Sequence, residues 1–505
     1  MLAGSVLLSR VLGWARDLVL ANQVGAGAEA DAYYAAFQIP DIMNYLLAGG
    51  ALSIAFLPFY TRVRDQRGAA EADRLFSTVL GTMTLLTVLA TCVLWWQADA
   101  LVALQFPRFS PETRALTAQL TRIVLPGQAF FVSGGILAAV LMAEGRFGSQ
   151  ALAPLAYNAC IIAGGLLTGT VEGFAWGVLA GAITGPFVVR YLDLSRTRTI
   201  RWRVAPGNRD FLTYLWMALP LMLGLSLVTV DEWYDRWFGA VLGEGVVAML
   251  SFARKLMQAP VAVIGQAIAT AALPTLSHLF TSGRVQELER TLLRTLQGAG
   301  ALAVLAAAAT WAFAAPGVEL AYHHGRFSAE AAERTADILA VLAFGIPAWI
   351  VQQVAVRAFY ARGDTWRPMW LGTGLALLAI PVYVAMGQRF GPEGLAAAGA
   401  LAMSVSALVT LGWARRLHGA PALPAFFGSL ARMAVVAGGA AGAARLAMAG
   451  LEGGGKPGAV ADLFFGGLAF AAVAAAGIRW LGDEPVRELA GGLVRRVRGR
   501  IARRR

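Results

Sequence analysis

Charge is scarce in this sequence. Only 14% of its 505 residues are Asp, Glu, Lys or Arg, against about 25% in soluble domains. The length alone suggests three soluble domains, but so few charges cannot coat three surfaces. Cysteine is scarcer still. Cys92 and Cys160 both lie in apolar runs and make no disulfide framework. The composition also excludes disordered, collagen-like and nucleic-acid-binding classes. What the chain holds instead is 58% hydrophobic residues and a mean hydropathy of +0.61, which fits a polytopic membrane protein.

A spanning helix needs about 20 mainly apolar residues. Measured that way, the chain divides into about fourteen segments, near 2–22, 30–60, 76–105, 114–143, 149–170, 173–192, 211–241, 246–280, 290–316, 328–361, 367–387, 392–417, 424–449 and 459–481. The runs are continuous rather than alternating, which excludes a closed barrel. The expected fold is therefore an all-α polytopic membrane protein. The first segment reads as a retained helix, because Arg10, Arg16 and Asp17 interrupt what would be the apolar part of a cleaved signal.

The net charge of +12 has a location. Arg62, Arg64, Arg67 and Arg74 follow segment two, Arg190 through Arg209 follow segment six, and Arg487 through Arg505 form a basic tail. The alternate loops offer little beyond Arg108, Arg326, Arg389 and Lys456. The positive-inside rule then places both termini in the cytoplasm.

Weak self-similarity suggests two six-helix lobes. Ala51–Pro58 resembles Ala267–Pro274, and the stretch from Pro126 to Arg146 resembles that from Pro347 to Asp364. An even number of helices gives the copies one orientation, about an axis along the membrane normal. The organisation expected is an N-lobe over 1–192, a basic linker over 193–210, a C-lobe over 211–417, two added helices over 418–482 and a tail over 483–505.

Charges within the apolar segments carry the functional signal, since each is costly in hydrocarbon and by default faces a cavity. Helix one brings Arg10, Arg16 and Asp17; helix two brings Asp31, Gln38, Asp41 and Tyr45. Helix seven holds Asp231, Glu232, Asp235 and Arg236, and helix eight holds Arg254, Lys255 and Gln258. Several cations in one cavity suit an anionic substrate, because guanidinium groups bind phosphate through paired N–H bonds. Interleaved carboxylates would pair those cations in the empty cavity. The alternative for Arg16, Asp31 and Arg357 is a purely structural ion pair or a snorkelling end.

Two motifs are decoys. Gly450–Lys456 has phosphate-loop spacing, but Pro457 stands where Ser or Thr would hold magnesium, and no strand precedes it. His323-His324 lacks a third metal ligand. No metal site is expected.

The sequence also resembles the MurJ (MviN) lipid II flippases of the MOP exporter superfamily. The most specific stretches are Ser9-Arg10-Val11-Leu12-Gly13 with Arg16-Asp17, Asp31-Ala32, Pro40 through Ala48, Gly145-Arg146-Phe147 with Ala153-Pro154 and Asn158, Ala253 through Leu256 with Pro260, Gly325-Arg326-Phe327-Ser328, and Phe359 through Thr365. The resemblance implies a V-shaped, two-lobed flippase of the bacterial inner membrane. It would carry undecaprenyl-pyrophosphate-linked peptidoglycan precursor to the outer leaflet by alternating access, as a monomer working beside cell-wall synthesis proteins. It maps substrate-binding roles onto Arg10, Arg16, Asp31 and Lys255, and assigns helices thirteen and fourteen to the lipid tail. Asp17, Asp231, Asp235 and Arg236 are the candidates for charge relay or ion coupling, to membrane potential, H+ or Na+.

The chain also departs from that pattern. Asn44 stands where the family has arginine, and Gly49 where it has a carboxylate. A sodium site would join Asp235 to polar groups on helix eleven, yet the corresponding positions are Ala379 and Tyr383. Three other classes stay beside the flippase reading. A membrane enzyme is disfavoured because the longest cytoplasmic loop, Tyr191–Asp210, offers only Asp193 and Asp210. An exporter of another polyprenyl-linked oligosaccharide and a non-transporting scaffold remain as alternatives.

Overall fold

Backbone N–H and C=O groups in hydrocarbon find partners only within a helix or a closed barrel. A computed structural model describes residues 2–47, 55–224, 227–419, 421–451, 455–488 and 491, and every regular element among them is helical. Large apolar side chains stand bare on its outside: Leu167 is 85% exposed, Trp480 81% and Leu446 79%. Such a surface suits lipid and not water.

Among the described residues, nine helices are long and apolar enough to cross a membrane, or ten if the bent pair Ala329–Ala343 and Ile346–Tyr360 is one span. The expected count of fourteen is not reached on that measure, for physical reasons. Leu2–Val24 carries Arg10, Arg16 and Asp17. The segment expected over 30–60 starts as two short helices, Ala28–Ala36 and Gln38–Leu47, and that over 211–241 is split into Arg209–Leu223 and Leu227–Leu242. Trp366–His418 instead joins two expected segments across Gly391, where φ is 63°.

The chain forms two compact units. The first is Met1–Gly224 together with two short segments from later in the sequence, Gly243–Ala248 and His324–Ser328. Local chemistry sets its helix ends. Ser110 accepts from the Thr113 amide at 3.1 Å to start Pro111–Val124, and left-handed Gly169 ends Gly148–Thr168. Gly148–Thr168 packs against both Leu2–Val24 and Val171–Ala182. The core gathers Phe56, Tyr60, Phe76, Leu80, Leu137 and Tyr214.

The basic linker is strapped to this unit along the Ala69–Trp96 helix. The Arg203 amide donates to the Ser77 carbonyl at 3.0 Å, and the Ala205 amide to the Thr82 hydroxyl at 3.1 Å. Arg198 donates to the Tyr60 hydroxyl at 3.1 Å and pairs with Asp73 and Glu144. Burial works against the charged guanidinium, but these three partners outweigh it and raise the Arg198 pKa above the usual arginine value.

The second unit comprises Leu225–Leu242, Met249–His323 and Ala329–Arg505. Leu227–Leu242 packs on Trp366–His418, and Leu423–Ala449 packs on both Val285–Ala312 and Gly455–Leu481. π-helical stretches occur beside prolines in both units, among them Ile183–Val189 around Pro186 and Val261–Gln266 after Pro260. A missing N–H and a bulky ring widen the turn there.

Candidate functional site

The buried charges fall into a separate cluster in each unit. In the first unit, Leu2–Val24 presents Arg16 and Asp17 side by side. Arg16 donates from Nε and Nη2 to Asp17 Oδ1 at 3.1 and 3.0 Å. Its Nη1 donates to Asn158 Oδ1 on Gly148–Thr168 at 3.4 Å. Asp17 is buried while Arg16 is half-buried. The hydroxyls of Tyr33 and Tyr157 lie close enough to interact electrostatically with the guanidinium. Arginine has five N–H donors, so two remain for an anion beyond the three engaged here among the described residues. Arg10 is exposed on the same helix, and Asn44 is half-buried on Gln38–Leu47. Gly49 lies outside the described residues.

Asp31 has a different setting from the one expected. Its carboxylate accepts from the Gly245 amide at 2.6 Å and the Ala248 amide at 2.7 Å. It therefore caps the Val246–Pro260 helix from a distant part of the sequence, where unpaired N–H groups and the helix dipole favour an anion. Alongside, the Ala28 amide donates to Glu244 at 3.3 Å and the Arg326 amide to the Asn22 carbonyl at 2.9 Å. Arg326 also reaches Glu29 at 3.4 Å. All of these residues belong to the first unit.

The second cluster lies in the other unit and is drier. Asp231 and Asp235, one turn apart on Leu227–Leu242, both bind Arg254 of Val246–Pro260; Nε of Arg254 lies 2.7 Å from Asp235. The exposures are 1% for Asp231, 3% for Asp235 and 4% for Arg254, so one cation faces two carboxylates with little water around them. Tyr383 donates its hydroxyl to Asp231, and the Trp349 ring lies 5.9 Å from the guanidinium. At the edge, Gln258 donates to Glu232 at 2.6 Å. Glu232 lies 3.9 Å from Arg236 and feels the charge of Lys255, which is half-buried.

The sequence names most of these residues and leaves their partners to the fold. Asp31 and Asp235 are expected to pair with Arg10, Arg16 or Lys255, or to bind a proton or ion, during the return step of transport. Asp31 meets backbone amides and Asp235 meets Arg254. Asn158 was noted only within a motif, and its contact with Arg16 was missed. Arg254 was identified on its helix face without its role; the Asp231 and Asp235 pair was the available signal, since two buried carboxylates need a cation. His323 pairs with Glu319, four residues before it.

Comparison with known proteins gives a consistent result. The family model described as lipid II flippase MurJ matches residues 20–453. A probable lipid II flippase MurJ of Rhizobium meliloti (strain 1021) is 27% identical over 81% of this chain and 79% of its own. A lipid II flippase MurJ of Burkholderia cenocepacia is 27% identical over 74% of this chain and 75% of its own. Among solved structures, a lipid II flippase MurJ in an inward closed conformation superposes with a TM-score of 0.80 at 19% identity, covering 95% of this chain and 98% of that one. An inward-facing multidrug resistance MATE family transporter of the MOP superfamily gives a TM-score of 0.69 at 17% identity, over 81% and 94%.

Proposed function

The chain belongs to the lipid II flippase MurJ family, and from that premise we propose that it carries lipid II from the inner to the outer leaflet of a bacterial inner membrane. It is a multi-pass transporter and not an enzyme. The observation that carries this reading is the family match over residues 20–453. The Arg16 site supports it chemically. A half-buried guanidinium, held on one edge by Asp17 and with two N–H groups left over among the described residues, suits a pyrophosphate. Arg10, exposed on the same helix, would add charge to the same headgroup, and the basic loops favour cytoplasmic termini.

The coupling we propose is to membrane potential. A pyrophosphate with roughly two negative charges leaving an inside-negative cell gains on the order of 4–5 kcal/mol per 100 mV. A sodium ion at Asp235 would have to compete with Arg254, which already supplies that carboxylate with a cation. One departure favours a second cargo class, another polyprenyl-linked glycan: Asn44 takes the place of a family arginine.

Complementation tests the reading. In a bacterium depleted of its own lipid II flippase, this chain should restore growth, and Arg10→Ala or Arg16→Ala should abolish the rescue at equal membrane abundance. Failure of the wild-type chain to rescue, with its presence in the membrane confirmed, would contradict lipid II as the cargo.

A further inference from the structure

We infer that Asn158 is a positioning residue for the anion-binding guanidinium of Arg16, an inference that rests on the pyrophosphate reading above. Two hydrogen bonds carry it. Asn158 Nδ2 donates to the Pro154 carbonyl of its own helix at 2.9 Å, and Asn158 Oδ1 accepts from Arg16 Nη1 at 3.4 Å. The first bond fixes which end of the amide faces Arg16, because only the NH2 group can donate to a carbonyl and only the oxygen can accept from a guanidinium. Asn158 is 7% exposed, so water does not compete freely for that oxygen.

The geometry around Arg16 explains why a neutral acceptor is needed. Asp17 binds Nε and Nη2 through a single oxygen, which leaves the guanidinium free to pivot about that point. Asn158 holds the other terminal nitrogen from a different helix. The plane is then defined by two helices that pack against each other, Leu2–Val24 and Gly148–Thr168. Among the described residues, one N–H on each terminal nitrogen is left for two oxygens of one phosphate. A second carboxylate at position 158 would give the same geometry, but it would neutralise the charge that attracts the substrate. An amide fixes the plane and leaves the charge.

This arrangement makes an isosteric change informative. Asn158→Asp keeps shape and acceptor while adding a negative charge and removing the donor to Pro154. Asn158→Ala removes the hold altogether. The experiment measures binding of a short-chain polyprenyl pyrophosphate to purified full-length protein, with thermal melting of every variant. Asn158→Ala should weaken binding on the order of tenfold, as for a lost hydrogen bond to a charged group. Asn158→Asp should weaken it further, and melting should shift little for the Asp variant. In an Arg16→Ala background, Asn158→Ala should have no further effect on binding, because the residue acts only through Arg16. A residue that merely packs would weaken binding equally in both backgrounds, and that result would overturn the inference. Unchanged binding by Asn158→Ala would also overturn it. If the wild-type chain does not bind the probe at all, the pyrophosphate reading falls and this inference falls with it; binding by the wild type with no effect at Asn158 sinks this inference alone.

Discussion

Two arginines on different helices show how one side chain can serve two ends. Arg254 pairs with two neighbouring carboxylates and is 4% exposed, whereas Arg16 binds a single carboxylate oxygen and is half-buried. The first is closed chemistry, and the second retains donors. Removing one partner of a buried ion pair costs about 3–5 kcal/mol, because the other charge is stranded. Arg254→Met should therefore destabilise the protein by about that amount, read as a fall in melting temperature in detergent. Adding Asp231→Asn and Asp235→Asn should restore most of it. Recovery would show that the stranded carboxylates, and not the lost packing of the arginine stem, account for the damage. The sequence made the residue types legible here, since charges inside apolar runs stand out. It did not make the pairing legible, because Arg254 and Lys255 are adjacent and only the fold decides which of them turns toward Asp235.

At the scale of elements, the Val246–Pro260 helix depends on Asp31 for its N-terminal amides. Asp31→Ala should cost about 1–3 kcal/mol through two unsatisfied N–H groups, with Asp31→Asn recovering part of it; melting curves decide. The last turn of Leu2–Val24, at Asn22, interlocks with His324–Ser328 of the same unit. Gly25 and Gly325 have φ of 80° and 55°, and a Cβ on either would lie 2.5 Å from the Arg326 carbonyl oxygen or 2.2 Å from that of Asn22. Gly325→Ala should abolish stable folding, seen as loss of the monodisperse peak on size exclusion, while Gly317→Ala, which meets open space, should behave as wild type. Helical character was plain in the hydropathy, because lipid leaves the backbone few choices. The breaks were not. Gly224, Gly345 and Gly391 sit inside apolar runs, and a sliding count of apolar residues passes over a bend.

For the whole molecule, family membership follows from the match over residues 20–453, and the all-helical fold is shared with MurJ and MATE structures. Composition alone reached the membrane class, because 14% charge cannot coat soluble domains. Motifs scattered over the chain reached the family. Cargo and coupling depend on local geometry that a linear reading could not assemble. If membrane potential supplies the drive, collapsing it should stop export, and replacing sodium by potassium in the medium should leave the export rate within about a factor of two, below the smallest shift expected of a coupled site. A sodium requirement would place an ion in competition with Arg254.

The most direct measurement is of lipid II itself, in cells where this chain is the only flippase. Precursor exposed on the outer leaflet should be abundant with the wild-type chain and absent with Arg16→Ala, at equal amounts of protein in the membrane. Lipid II trapped on the inner leaflet despite abundant wild-type protein would contradict the account, as would normal exposure with Arg16→Ala.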